Sequence, residues 1–242
     1  MVTLSRRSAR LLIIPLAALL VAACEHNDLG TGTGGGGGGG GGTVPPLGAA
    51  STYGILAGTA VTCVTGGTIF ADVGVSPGSA ITGFPPCTLT GTRHAADAAA
   101  AAAQVALTSA YNALVAETCG TTIVADLGGT TITPGVYCSA SSVGVTGAVT
   151  LNGQGNANAR FVIKAGSSLT TAGSVVLTNG TQAKNVWWQV GSSATLGTAS
   201  AWQGNIVALT SITLNDNATM LGRALARNGG ITLGTNNSIA LP

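Results

Sequence analysis

Charge is what this sequence has least of. Asp, Glu, Lys and Arg make up 7% of its 242 residues, where soluble proteins average about 25%. Aromatic residues are also scarce, with three each of Trp, Tyr and Phe, which excludes a core of stacked rings. Setting aside Arg6, Arg7 and Arg10, which sit in a removable leader, leaves 6 basic against 7 acidic side chains. No basic footprint remains for phosphates, so nucleic acid is excluded as a partner. The domain's acids, Asp72, Asp97, Glu117, Asp126 and Asp216, are widely scattered. A β-helical polysaccharide lyase or hydrolase, the rival from the enzyme class, needs clustered carboxylates with a base or metal. A lone His94 offers no nucleophile a partner. With no C-x-x-C and with His26 far from His94 in sequence, a metal site is not expected. The expectation is a non-enzyme with no catalytic residues, no metal and no cofactor.

What is present is glycine, 38 residues of it, and 45% hydrophobic residues drawn mainly from Val, Ile, Leu and Ala. That mixture suits many short strands joined by tight turns in one domain. At the N-terminus, three arginines precede an apolar stretch, Leu11–Ala23, too short for an ordinary membrane-spanning helix. Basic start, short apolar run and small residues at Ala22–Ala23 describe a secretory signal. Val21-Ala22-Ala23-Cys24 also resembles a bacterial lipobox, which makes Cys24 the expected lipidated N-terminus and a lipid bilayer an expected partner. Residues 1–23 are therefore read as a removed lipoprotein signal. Residues 24–46, with the glycine run Gly34–Gly42 and Pro45-Pro46, are a flexible tether. The folded domain is expected over 47–242, exported as a cell-surface or outer-membrane lipoprotein or released outside the cell.

Cysteine usage agrees with export. Apart from Cys24, an even number remains: Cys63, Cys87, Cys119 and Cys138, as befits an oxidising compartment. Of three possible pairings, Cys63–Cys87 and Cys119–Cys138 is favoured because each pair brackets one local excursion.

One stretch is helical, about 92–117. Thr90 or Thr92 can cap it, the alanines 98–103 have the highest helix propensity, and Cys119-Gly120 ends it. Leu107, Tyr111, Leu114 and Val115 form an apolar stripe. There is no basic face, so packing on a sheet is favoured over membrane activity.

Beyond residue 120 the chain repeats. Short alternating units recur at Val143-Gly-Val145, Leu169, Ala194-Thr-Leu196, Ile212-Thr-Leu214 and Ile231-Thr-Leu233, the last steps 18 and 19 residues apart. Asn152-Gly153, Asn179-Gly180 and Asn228-Gly229 punctuate the units, as corners with positive φ would. Such a period, with three strands per turn, predicts a mainly β fold: a right-handed triangular β-solenoid with one long helix packed along one face. An antiparallel sandwich is the competing architecture.

The three sides differ in chemistry. Side one (161–163, 186–188, 206–209, 224–226) is apolar at both parities, so it must be covered outside as well as inside, and the helix is the obvious cover. Trp187 and Trp188 belong to this core and helix packing. Arg160, Lys164, Lys184, Arg223 and Arg227 have no acid cluster to serve and are expected at solvated rims. Side three is less regular. Side two alternates strictly, and its outward members are short and uncharged. Ser142, Thr146, Ser168, Thr170, Thr195, Ser211, Thr213 and Thr232 are the candidate binding residues, with Thr146, Thr170, Thr195, Thr213 and Thr232 expected in one file. Ordinary exposed strands would carry Lys and Glu; this face has none. A level lattice of hydroxyls and methyls can hold water in fixed positions.

The chain resembles the secreted microbial ice-binding (antifreeze) proteins of the single-domain, discontinuous β-solenoid type. The likeness covers residues 47–242. It is carried by Leu47-Gly-Ala-Ala50 with Tyr53-Gly-Ile-Leu-Ala-Gly58, and by Asp72-Val-Gly-Val-Ser-Pro-Gly78 with Ile81-Thr-Gly-Phe84. Ala110-Tyr111, Pro134-Gly-Val-Tyr137, Asn185-Val-Trp-Trp-Gln-Val-Gly191, Ser211-Ile-Thr-Leu214 and Gly222-Arg-Ala-Leu-Ala226 continue it. The resemblance implies that the N-terminal coil stacks beside the C-terminal one, that a long helix lies along one face, and that the flat neighbouring face adsorbs ice. Adsorption there would inhibit ice growth and recrystallisation and give thermal hysteresis, with an ice surface as partner; a monomer is expected. Phe70 would be bulky if it lay on that face. A surface adhesin or coat protein is the other function class the tether suits.

Overall fold

The computed structural model describes Met1 and residues 43–242. The chain divides into two units, Met1–Gly37 and Gly38–Pro242, and the account below concerns the second. The leader, the expected lipidation site Cys24 and the glycine run lie outside the described residues.

Each circuit of the chain lays down three short strands, and each strand pairs in parallel with its counterparts in the neighbouring circuits. The result is the three-sided β-solenoid, wound in the right-handed sense that parallel crossovers take. The first side is a nine-stranded sheet and the second a seven-stranded one. The third is split into sheets of five and three strands. The stacking order departs from the chain order at one place. Strand Tyr53–Ala57 pairs with Ala224–Ala226, Ala60–Thr65 with Ile231–Thr235, and Thr68–Phe70 with Ser238–Ala240. The first circuit thus sits directly on the last.

The inside of the coil is apolar. Ile55, Phe161, Trp188 and Ile206 point in from the first sheet, Leu169, Ile212 and Ile231 from the second, and Leu151, Trp202 and Ile239 from the third, all nearly inaccessible. The Trp188 and Trp202 rings meet with centroids 4.6 Å apart. The first sheet is apolar on its outer surface too. There Leu56, Val162, Trp187, Val207 and Leu225 form a second cluster with the helix residues Ala103, Leu107, Ala110, Tyr111 and Leu114. Small alanines let the helix backbone settle close to the sheet. Gln189, buried in the same layer, donates to the Tyr111 hydroxyl at 3.1 Å, which satisfies the polar group that burial would otherwise penalise.

The helix is shorter than its sequence signals. Helix α1 spans Ala98–Ala116. The expected first turn is instead strand Arg93–Ala95, which pairs with Asp72–Val75. The cap is Asp97, whose carboxylate accepts from the Ala100 amide at 2.8 Å, and neither Thr90 nor Thr92 fills that role. The C-terminal end comes at Glu117, in an extended conformation, two residues before Cys119-Gly120. Val115 is exposed, because the buried stripe runs through Ala100, Ala103, Leu107, Ala110, Tyr111 and Leu114. Alanine, not valine, is what the close approach selects.

Two further expectations need correction. Among the asparagine-glycine steps, Asn179 and Gly180 have positive φ, but Gly153, Asn228 and Gly229 do not. Gln154, Ala199, Asn217, Asn236 and Gly66 take that conformation at other corners. Nor are all the cations at solvated rims. Arg160 is buried and paired with Glu117, its Nη1 donating to Oε2 at 2.8 Å. Lys164 donates to the Val115 and Glu117 carbonyls at 2.7 and 2.8 Å. Both cations lie at the negative end of the helix dipole, where positive charge is stabilised. Arg223 joins Asn205 Oδ1 at 3.0 Å to the Ser51 carbonyl at 2.8 Å.

Both expected disulfides form. Cys63–Cys87 staples one end of the stack and Cys119–Cys138 the other, where the outermost coils have a neighbour on one side only. Loop lengths of 24 and 19 residues correspond to about 3 kcal/mol each on the chain-entropy account.

The helix contact makes a measurable prediction. Ala103→Leu inserts three carbons into a closed seam and is expected to destabilise by about 1–3 kcal/mol, read as a lower Tm by calorimetry. Ala102→Leu, on the exposed side of the same turn, is expected to leave Tm unchanged.

Candidate functional site

The second sheet positions the candidate residues. Its strands run, in stacking order, Val143–Val145, Leu169–Thr171, Ala194–Leu196, Ile212–Leu214, Ile231–Thr235, Ala60–Thr65 and Ala80–Thr82. Alternation sends Val143, Leu169, Ala194, Ile212, Ile231 and Val61 inward, all at most 1% exposed. The residues between them face out. Strand register aligns Gly144, Thr170, Thr195, Thr213, Thr232, Thr62 and Thr82 in one file. At about 4.8 Å per step, its six threonines extend over about 24 Å.

A parallel file, one alternation earlier on each strand, holds Ser142, Ser168, Ser193 and Ser211, then Gly230, Ala60 and Ala80. The two files differ in how their hydroxyls are used. Ser142 and Ser168 bond each other at 2.8 Å, and Ser193 bonds Thr210 at 2.7 Å. In the threonine file, Thr82 donates to Thr62 at 3.3 Å, while Thr170, Thr195, Thr213 and Thr232 have no protein partner among the described residues. Their hydroxyls are left to water. β-Branching restricts χ1 at each threonine, so few side-chain arrangements are open to the file. The surface is ordered before anything binds.

The structure revises the expected file. Thr146 is not in it, because Val143-Gly-Val145 pairs with Leu169-Thr-Thr171 and so Gly144 stands opposite Thr170. Thr146 lies one alternation further on, and its hydroxyl donates to Asp126. Thr62 and Thr82 join the file from the N-terminal coils, which the repeat count beyond residue 120 passed over. Val61-Thr62 and Ile81-Thr82 carried the same apolar-threonine step as Ile212-Thr213. Phe70 falls on the third side, but Val64, half exposed, is the bulkiest member of the second face.

Charge is confined to the borders. Asp126 closes the open end of the sheet, accepting from Gly128 N at 2.8 Å and Thr146 N at 3.1 Å as well as from the Thr146 hydroxyl. Asp216 sits at a corner, accepting from Thr235 N at 2.7 Å. A Cβ at Gly234 would come within 2.4 Å of that carboxylate; glycine leaves it room. The third side offers no comparable surface, since exposed Leu221 and Phe70 protrude from it and its sheet is broken in two. Among the described residues no group of His, Cys, Asp and Glu is placed to hold a metal.

The family model described as Ice-binding-like matches residues 55–239. The chain belongs to this ice-binding-like family. An ice-binding protein of Nostoc sp. (strain HG1) is 48% identical over 198 residues, covering 80% of this chain and 73% of that one. The structure of an ice-binding protein from an Antarctic biological consortium superposes with a TM-score of 0.80 at 45% identity, over 83% of this chain and 92% of the other. One from the Antarctic ascomycete Antarctomyces psychrotrophicus gives 0.79 at 38% identity, over 83% and 99%. These relatives are ice-binding proteins rather than enzymes. Over those spans the two solved proteins share this chain's fold.

The end cap contains one carboxyl whose pKa is shifted by its hydrogen bonds. The Thr146 hydroxyl, the Gly128 amide and the Thr146 amide together hold the Asp126 carboxyl below the ordinary aspartate range. A lowered folded-state value stabilises the end coil above the unfolded value of about 3.9, and that contribution fades as pH falls through the lower folded value. Amide-exchange protection at Gly128 and Thr146, corrected for intrinsic rates, is expected to drop below about pH 4. In Asp126→Ala it is expected to be low at every pH.

Proposed function

We propose that the protein adsorbs to ice through the outward face of the second sheet and thereby inhibits ice growth and recrystallisation. The observation that carries this reading is the threonine file with its neighbouring serine file. It is regular, uncharged, and free of protein partners at four consecutive threonines. Waters seated between hydroxyls at the rung spacing would lie close to a repeat of the ice lattice and join it without rearrangement. Individual hydrogen bonds to such waters are worth little net free energy; many at once, with methyl burial, hold the protein in place. A front pinned at several points must bulge between them, and curvature makes further growth unfavourable. That is the physical origin of thermal hysteresis.

The chemistry is adsorption, not catalysis. The carboxylates of the described domain are engaged in separate structural roles: capping α1, pairing with Arg160, and closing backbone turns. Ice is the partner and the working form is a monomer, since one face of one chain supplies the whole lattice. Export, with the domain tethered to a membrane through acylated Cys24, is supported by the basic, apolar and small-residue order of the leader and by the two disulfides.

Thr213→Tyr is expected to abolish most of the thermal hysteresis and to change crystal shape while leaving the circular dichroism spectrum intact. Thr62→Tyr, on the far side of the chain discontinuity, is expected to do the same. Thr219→Tyr on the third side is expected to leave hysteresis at the parent level. Full activity from folded Thr213→Tyr protein would move the site off this face.

A further inference from the structure

A cleft of about 350 Å³ opens between α1 and the corners that join the first sheet to the second. Its polar wall consists of Ser76, Gln104, Thr108, Ser109, Arg227 and Asn228. Pro77 and Val105 supply a small apolar patch, and Val105 is 69% exposed. The volume is at the low end of ligand-sized sites, enough for one sugar ring with a substituent.

Arg227 is the unusual member. Every other arginine of the described residues has hydrogen-bonded partners: Arg93 the Phe84 carbonyl, Arg160 the Glu117 carboxylate, Arg223 Asn205 and Ser51. The Arg227 guanidinium has none, and its Nε is enclosed without a partner. It is held over the Tyr111 ring, 4.8 Å from the centroid, which fixes its plane. The described ion pairs are His94–Asp97 and Arg160–Glu117, and no carboxylate lines the cleft. A fixed, unneutralised guanidinium fork is matched to an oxyanion that can accept two parallel hydrogen bonds. Beside it, Gln104 Nε2 donates to the Ala226 carbonyl at 3.3 Å, which orients the amide and leaves Oε1 to accept.

We propose that this cleft binds an acidic sugar, a uronate, with its carboxylate on Arg227. The ring hydroxyls meet Gln104, Thr108, Ser109 and Asn228, and the C–H face of the ring lies on Pro77 and Val105. The shape explains the choice over a bare ion: an inorganic anion would use the guanidinium and leave the hydroxyl-bearing wall and the apolar patch idle. The cleft flanks the threonine face without including it. A chain holding a uronate-bearing polysaccharide here keeps its second sheet open.

The test is NMR titration of the full chain with glucuronate, glucose, acetate and inorganic phosphate, following the Arg227 Nε–H and Gln104 side-chain amide signals. Glucuronate is expected to shift both saturably and to bind more tightly than the other three. Arg227→Gln is expected to weaken it at least about tenfold, the usual loss for one charge-assisted contact. Thr108→Trp fills the cleft from a half-buried helix position on its wall while retaining the arginine. It is expected to abolish the shifts with the fold and the thermal hysteresis unchanged, so the result stands even if Arg227→Gln does not fold. No saturable shift with glucuronate overturns the proposal. So does binding of acetate or phosphate equal to that of glucuronate, which would mark an ion site only, and so does undiminished binding to Thr108→Trp.

Discussion

Everything in this molecule depends on the parallel backbone ladder being kept in register from one coil to the next. A register slip of one residue would turn every side chain of a strand to the opposite face, placing threonines in the core and leucines in water. The inward files of Val, Leu and Ile make that slip prohibitively unfavourable on the second sheet. The order of the outer surface is therefore a by-product of the order of the inner one. The core thus sets the spacing of the surface hydroxyls.

The helix follows from the same constraint. A stacked sheet whose outer surface is apolar must be covered, and α1 covers the first side with Ala103, Leu107, Ala110, Tyr111 and Leu114. Arg160, Lys164 and Glu117 then fix its C-terminal end. With one side occupied by the helix and another broken in two, the second is left as the broad, continuous sheet with an uncovered outer face among the described residues. Flatness there is bought with irregularity elsewhere.

Much of this was legible in the sequence, and for identifiable reasons. The Ile-Thr-Leu steps at 18 and 19 residues gave the coil, and the double-parity hydrophobicity of 186–188 and 206–209 gave the helix its place. The spacing of the cysteines along the chain was enough to pair them. What escaped was set by contacts distant in sequence. Arg93–Ala95 has nothing in its own composition that distinguishes strand from helix start; Asp72–Val75, some twenty residues away, decides it. Thr62 and Thr82 were hidden because their coils lie before the helix, although their neighbours in space come after it. Thr146 was placed in the wrong file because a glycine, with no side chain to read, occupies the position the pattern reserved for a threonine. The pairing of Arg160 with Glu117 spans 43 residues and leaves no local trace.

The junction where Val61 meets Ile231 has a kinetic meaning. It closes a loop of roughly 170 residues, and contacts of such high sequence separation form slowly because chain entropy must be surrendered before they give anything back. The coils from 135 to 240 stack on their chain neighbours, whereas the seam joins residues 53–70 to residues 224–240. The threonine row runs straight across that seam. A nascent molecule caught before closure would carry two truncated rows in place of one, so the complete lattice is itself a signal that folding has finished.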